Sequence, residues 1–261
     1  MFSFLNNIPQ VTKNILLLNV LLFVIMQFFL ATGGIDLSRY LAAHYIGTPL
    51  FEPYQIITHM FMHSPVDIMH IIFNMLLLVM FGAHLERLWG PKRFFIFYFA
   101  AGLGAFALDN IVNGIKIYEM KQTMAAASID LDSLNNLIIN IKGMSNQAIN
   151  ESYAQIIQRG ASGNEAASQY INSSLLSGVG ASGAIFGLLT AFGILFPNTE
   201  LYLIFIPIPI KAKYLIGVYV LYELYNSIAA NDNINHLAHI GGALVGAIIV
   251  LIWRKKSKNF Y

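Results

Sequence analysis

Ser182, His239, His70 and Asn74 are the residues of this sequence whose types suit acyl-transfer chemistry. A serine hydroxyl becomes an effective nucleophile only when an adjacent base takes its proton. An imidazole, with an ordinary pKa near about 6.5, can take that proton and return it to a leaving amine at neutral pH. The oxyanion formed meanwhile needs hydrogen-bond donors in a site of low dielectric. The Asn74 amide, the Ser182 backbone N–H and His70 are candidates, and His70 and Asn74, four residues apart, share a helix face. Taken alone, the stretch Gly178-Val179-Gly180-Ala181-Ser182-Gly183-Ala184-Ile185-Phe186-Gly187 has a plainer reading, in which Ser182 is one more small residue that lets helices approach closely.

The elements that would carry these residues are membrane spans. The chain of 261 residues is 57% hydrophobic and 11% charged, against about 25% charged in soluble domains, so it reads as an all-α integral membrane protein. Six apolar segments approach the roughly 20 residues that a bilayer core requires: 14–32, 67–84, 93–111, 180–196, 213–230 and 236–253. The first is longer than the apolar core of a signal peptide and leaves through a poor cleavage site, so it is expected to be a transmembrane helix. With no cysteine, disulfides and thiolate metal sites are excluded, and a net charge of +2 argues against nucleic acid as a partner. With both termini placed in the cytoplasm, the inner segments hold ten Lys or Arg and the outer ones five, which favours that topology. Spans two, four and six then begin at the outer face.

Depth and stripe patterns bring the candidates together. Asn74 lies about 20 Å from the inner end of span two, and Ser182 and His239 each lie about 21 Å from the inner ends of spans four and six. All three therefore sit about 10 Å below the outer surface of a 30 Å core. Span four carries Gly183, Gly187 and Ala191 at intervals of four and span six carries Ala238, Gly242 and Gly246, so the two backbones can meet along small-residue stripes. This makes a Ser182–His239 contact geometrically reasonable and favours nucleophile over spacer.

Other ionisable residues sort differently. His236, three residues before His239, is expected to cap or pack near the start of its helix, or to support the site from behind. Glu223 in span five is expected to hydrogen-bond a neighbouring helix rather than to act in catalysis, because at that rise it lies deeper than the Ser182–His239 level. His236-Leu237-Ala238-His239 lacks the Glu and the i, i+4 spacing of a zinc helix, and His59, His63 and His70 have no nearby acids, so no metal or other cofactor is expected. Nor does Gly180-Ala181-Ser182-Gly183-Ala184 match the nucleophile elbow of soluble hydrolases. A transporter using His70, Glu223 and His239 would call for paired half-repeats with broken helices, and no such symmetry is present.

Residues 112–176 are expected to form a soluble helical insert outside the membrane, within a single domain covering 1–261. Helical spacing appears at Leu134, Leu137, Ile138 and Ile141 and again at Ile149, Tyr153, Ile156 and Ile157, with caps near Asp130 to Ser133 and Asn146 to Glu151. Such an insert is either a tolerated addition or a substrate-binding lid.

Together, Gly180-Ala181-Ser182-Gly183, Ala238-His239-Ile240-Gly241-Gly242 and His70-Ile71-Ile72-Phe73-Asn74 resemble the signature of rhomboid intramembrane serine proteases, and Leu85-Glu86-Arg87-Leu88-Trp89-Gly90 is similar to that family's segment after helix two. The resemblance covers the six-span core and leaves out the insert. It implies a six-helix bundle with Ser182 as nucleophile, His239 as general base without an acid partner, and His70 and Asn74 as oxyanion stabilisers. It further implies cleavage of transmembrane segments of other membrane proteins, in a cell membrane, at a site opening to the extracytoplasmic side. Substrate access would be gated by span five and the loop Ala230 to Asn235. Phe186 stands where some members have a Tyr packed on the catalytic histidine, and Tyr54-Gln55 where some have Trp-Arg. The alternative is a non-proteolytic relative that binds membrane clients, although such relatives usually lack the serine or the histidine, and both are present here.

Overall fold

The computed structural model describes residues 6–141, 151, 165–176, 178, 180–203, 206–229 and 234–256. It is mostly helical. Among the described residues four helices are long and apolar enough to cross a membrane: Gln10–Gly33, Ile68–Trp89, Pro91–Ala126 and His236–Lys255. We label the elements α1 (Gln10–Gly33), α2 (Ile68–Leu77), α3 (Ala83–Trp89), α4 (Pro91–Ala126), α5 (Leu131–Ile141), α6 (Glu165–Leu175), α7 (Ser182–Leu195), β1 (Glu200–Leu203), β2 (Ile206–Lys211), α8 (Ala212–Ala229) and α9 (His236–Lys256). A π-helical segment, Leu78–Gly82, joins α2 to α3 within one span.

Three features depart from the sequence expectation. The helix predicted over 93–111 continues to Ala126, so the first part of the predicted insert is a prolongation of α4. Lys116, Glu119 and Lys121 end the apolar run, but nothing there ends a helix: Pro and tight turns are absent until Ala127. The fold is also not purely α. β1 and β2 pair antiparallel between α7 and α8, with Glu200 opposite Lys211 and Leu201 opposite Ile210. Finally, α7 is apolar but only 14 residues long, and α8, with 18, carries Lys213 and Glu223.

The packing core lies where α4, α7 and α9 meet. Glycines permit it: a Cβ on Gly242 would collide with the carbonyl of Gly183, and one on Gly246 would fall 2.7 Å from the Cα of Gly187. Gly241 is held as closely against α4, where an added Cβ would fall 2.7 Å from the carbonyl oxygen of Gly104. The two small-residue stripes predicted on these spans thus face one another. At the other end, buried Glu86 of α3 accepts from the N–H groups of Val11 (2.9 Å) and Thr12 (2.7 Å) and from the Thr12 hydroxyl (2.7 Å). These are first-turn donors of α1 that have no partner inside their helix, so a single carboxylate both caps α1 and ties it to α3.

Within the predicted insert, α5 and α6 pack on the far end of α4. Leu134, Ile138, Tyr170 and Ile171 bury against Ile117, Met124 and Leu50, a cluster separate from the main core. Asp130 accepts from the N–H groups of Asp132 and Ser133 and from the Ser133 hydroxyl, capping α5 as expected, and these bonds hold its carboxyl below the ordinary range. Of the second predicted stretch, Ile149, Tyr153, Ile156 and Ile157 lie outside the described residues, as does the cap position Asn146.

Candidate active site

Ser182 is the first residue of α7, so its N–H is one of the four that an α-helix leaves without an internal acceptor. The turn before it is set by Gly180, at φ 116°, a conformation that side chains other than glycine rarely adopt. That turn is anchored twice. The Gly180 N–H donates to the carbonyl of His59 (3.0 Å), and Gly178 exchanges two backbone hydrogen bonds with Ala43 (2.7 and 2.9 Å).

The first loop, the connection between α1 and α2 that includes Ala43, is in turn held by Gln55, fully buried. Its Oε1 accepts from His44 and Glu52, and its Nε2 donates to Tyr40 and Leu50, at 3.1 to 3.2 Å. The amide in place of the family's Arg therefore does anchor this loop, a role that its residue type alone did not reveal.

His239, on the first turn of α9, places Nε2 3.0 Å from Ser182 Oγ. The Phe186 ring stacks on the imidazole at 4.2 Å and 14°, so the aromatic contact survives without a hydroxyl. Tyr219 of α8 packs on the other side of Phe186 at 4.9 Å.

Glu223 of α8 is 2% exposed, and its Oε2 lies 2.8 Å from His239 Nδ1 and 2.6 Å from His236 Nδ1. The hydrogen bond to a neighbouring helix expected for Glu223 is present, and its partners are the two histidines. Depth reckoning set it below the site because a rise per residue locates Cα atoms, whereas a glutamate side chain spans most of a helical turn. Where the resemblance implies no acid partner, a carboxylate here stands against the imidazole nitrogen that faces away from Ser182. His236 does not cap α9. Asn235 does, its Oδ1 accepting from the Ala238 N–H at 3.0 Å, while the His236 side chain turns to the carboxylate. The donor atoms of Glu223, His236 and His239 all lie within 4.8 Å of one another, a grouping that no sequence spacing displays because the acid comes from a different helix.

On the other flank, His70 Nε2 stands against Gly180, where an added Cβ would come within 3.1 Å of it. The Ser64 N–H donates to His70 Nδ1 (3.2 Å), so in the neutral ring the proton sits on Nε2, making that atom a donor. Asn74, buried one turn along α2, donates one amide N–H to the His70 carbonyl at 2.7 Å and keeps a second. His59 and His63 are buried and hydrogen-bonded, His59 Nδ1 to the Gln55 carbonyl (2.8 Å) and His63 Nε2 to Asn19 Oδ1 (2.9 Å).

A cavity of about 30 Å³ opens beside Ser182, lined by His59, Asp109, Gly180, Gly183 and Asn235 among others. That is room for one or two water molecules. Asn235 Nδ2 donates to Asp109 Oδ2 (2.9 Å), closing the cavity from the α9 side. Residues 230–233 of the loop expected to gate access lie outside the described residues.

The family described as Rhomboid domain matches residues 50–117 and 146–256. Among curated proteins, the chain is similar to "RHOMBOID-like protein 12, mitochondrial" of Arabidopsis thaliana, with 29% identity over 207 residues, 78% of this chain and 48% of that protein. The chain thus spans about half the length of that relative.

Proposed function

The chain belongs to the rhomboid family, and on that footing we propose that it is an intramembrane serine endopeptidase that cleaves transmembrane segments of other membrane proteins. The observation that carries this reading is the 3.0 Å approach of His239 Nε2 to Ser182 Oγ at the head of α7. In this reading α7 and α8 complete a six-helix bundle in the cell membrane, with both termini cytoplasmic and residues 112–176 forming an insert on the outer side. The site opens to that same side.

The reaction follows from the groups present. Ser182 Oγ attacks the carbonyl carbon of the scissile peptide as its proton passes to His239 Nε2. Negative charge collects on the former carbonyl oxygen, and the donors assigned to it are the Ser182 N–H at the positive end of α7, the His70 Nε2–H and the Asn74 amide. Collapse of this intermediate breaks the C–N bond, and His239 gives its proton to the leaving amine. Water, for which the cavity beside Ser182 has room, then attacks the acyl-enzyme. Its proton goes to Nε2 and on to Ser182 Oγ as the acid is released. Phe186 keeps the imidazole plane fixed through all four proton transfers.

The full chain in detergent or liposomes, given a transmembrane test substrate with small residues near its outer end, should cleave it and should be labelled by a serine-directed fluorophosphonate. Ser182→Ala should lose both. Cleavage that persists in Ser182→Ala would sink the nucleophile assignment, and a folded wild-type chain that neither cleaves nor labels would favour the client-binding alternative.

A further inference from the structure

We infer that Glu223 is the acid partner of His239, a positioning residue that turns the pair into a Ser182–His239–Glu223 relay of hydrogen bonds spanning three helices. The inference rests on the protease reading above and adds to it a carboxylate supplied by α8. Ser182 Oγ, His239 Nε2, His239 Nδ1 and Glu223 Oε2 follow one another at 3.0 Å and, across the ring, at 2.8 Å.

The tautomer argument is the first support. A neutral imidazole carries one proton, on either nitrogen, and only the form protonated at Nδ1 leaves a lone pair on Nε2 to receive the serine proton. An ionised carboxylate accepts and does not donate, so Glu223 at 2.8 Å requires the proton of His239 on Nδ1. The second support is charge. Once Nε2 takes the serine proton the ring is a cation, buried in a helical bundle, and the Glu223 carboxylate then faces it across a hydrogen bond where attraction is little screened. Glu223 keeps no proton in any step. It fixes the ring and its charge while Nε2 alone exchanges protons.

His236 makes the arrangement sustainable. A carboxylate buried to this degree is costly unless hydrogen-bonded, and the second Nδ1–H at 2.6 Å satisfies it from the same helix that carries the base. Two donors from α9 on one oxygen also fix where that oxygen sits. A purely structural tether of α8 to α9 would be served by His236 alone and would not need the carboxylate aligned with His239. A metal ion held by the same three residues is a poorer account. Ligands of a tetrahedral ion at about 2.0 Å stand about 3.3 Å apart, whereas the two N···O separations here, 2.6 and 2.8 Å, are hydrogen-bond lengths.

The test uses the full-length chain in detergent and compares Glu223→Gln, Glu223→Asp and Glu223→Ala with wild type and Ser182→Ala. Turnover, KM, fluorophosphonate labelling rate and thermal stability are measured for each. Glu223→Gln should lower kcat and labelling rate by roughly 10³- to 10⁴-fold, as loss of the acid does in soluble serine proteases. Its KM and melting temperature should stay near wild type. Glu223→Asp, which keeps the charge on a shorter stem, should recover part of the loss. If wild type is active and Glu223→Gln matches it in both rates, the assignment is overturned and the protease reading stands. If all three substitutions lose activity only in proportion to lost melting temperature, Glu223 is a tether and the inference is likewise wrong. Activity removed by a chelator and restored by zinc alone would replace the acid with a metal. A folded wild-type chain that neither cleaves nor labels overturns the reading on which the inference is built.

Discussion

Asn74 donates one amide N–H to the carbonyl of His70, one turn back on α2, at 2.7 Å. This bond orients the side chain without using its second N–H, and the buried position keeps water from competing for it. A donor fixed in advance is worth most to the transition state, because the ground-state carbonyl carries less charge. Asn74→Ala is therefore expected to lower kcat by about 10²- to 10³-fold while leaving KM within a few-fold. A kinetic series on a transmembrane substrate checks this, and near-normal turnover would remove Asn74 from the oxyanion site. The same reasoning separates His70 from Asn74. The His70 ring holds its Nε2 proton only while Ser64 donates to Nδ1, so its contribution depends on the loop before α2 as well as on α2 itself.

At the scale of elements, the site depends on how closely α7 and α9 approach. A Cβ on Gly242 meets the Gly183 carbonyl directly, and Gly183 follows Ser182 just as Gly242 lies three residues beyond His239. Gly242→Val must push the two backbones apart next to the 3.0 Å contact. The expected cost is about 1 to 3 kcal/mol from overpacking, with cleavage lost, because a 1 Å displacement at reacting atoms can cost about 10²-fold. Melting temperature and fluorophosphonate labelling measured on one preparation test this, and a variant with normal labelling would show that the helices tolerate the separation. These stripes were legible in the sequence because small residues at intervals of four have few other uses in a membrane helix. The approach of Ser182 to His239 was legible for a similar reason, since type and spacing along each helix carry the information, whereas the aromatic stack at Phe186 was legible only through the resemblance to rhomboid proteases. What escaped were features set across helices or by side-chain reach. Glu223 contacts His239 from sixteen residues away in sequence and from another helix, and Gln55 anchors a loop through four bonds that its amide group alone does not announce. The extension of α4 escaped because hydropathy marks where an apolar span ends, not where a helix does. The β1–β2 hairpin escaped because its strands are short and hold two prolines.

At the scale of the whole molecule, the described residues form two apolar clusters with no residue in common. The larger lies among α1, the α2–α3 span, α4, α7, α8 and α9, and it includes Ala181 and Ala184 on either side of Ser182. The smaller joins α5 and α6 to the far end of α4 and to Leu50 of the first loop. Segments that share few buried contacts can open independently, so the α5–α6 unit should unfold without the site. Ile138 is fully buried in the smaller cluster, and Ile138→Asp would place an unpaired carboxylate there, a change that such a cluster cannot absorb. Amide exchange in residues 131–141 and 165–175 should then rise sharply, while the rate at which a fluorophosphonate labels Ser182 stays near wild type. The opposing consideration is the route from α6 to Ser182, which passes through Gly178 and its backbone pairing with Ala43. That pairing is made with the first loop, whose own bonds run to Gln55 and, through Ile46, to Asn110 of α4 at 2.8 Å, none of which involves α5 or α6. Although Leu50 ties the same loop to the smaller cluster, the bonds at Tyr40, His44 and Ile46 would hold the loop before Ser182 without it. Labelling that falls together with the protection of α5 and α6 would contradict this and make the two clusters one cooperative unit.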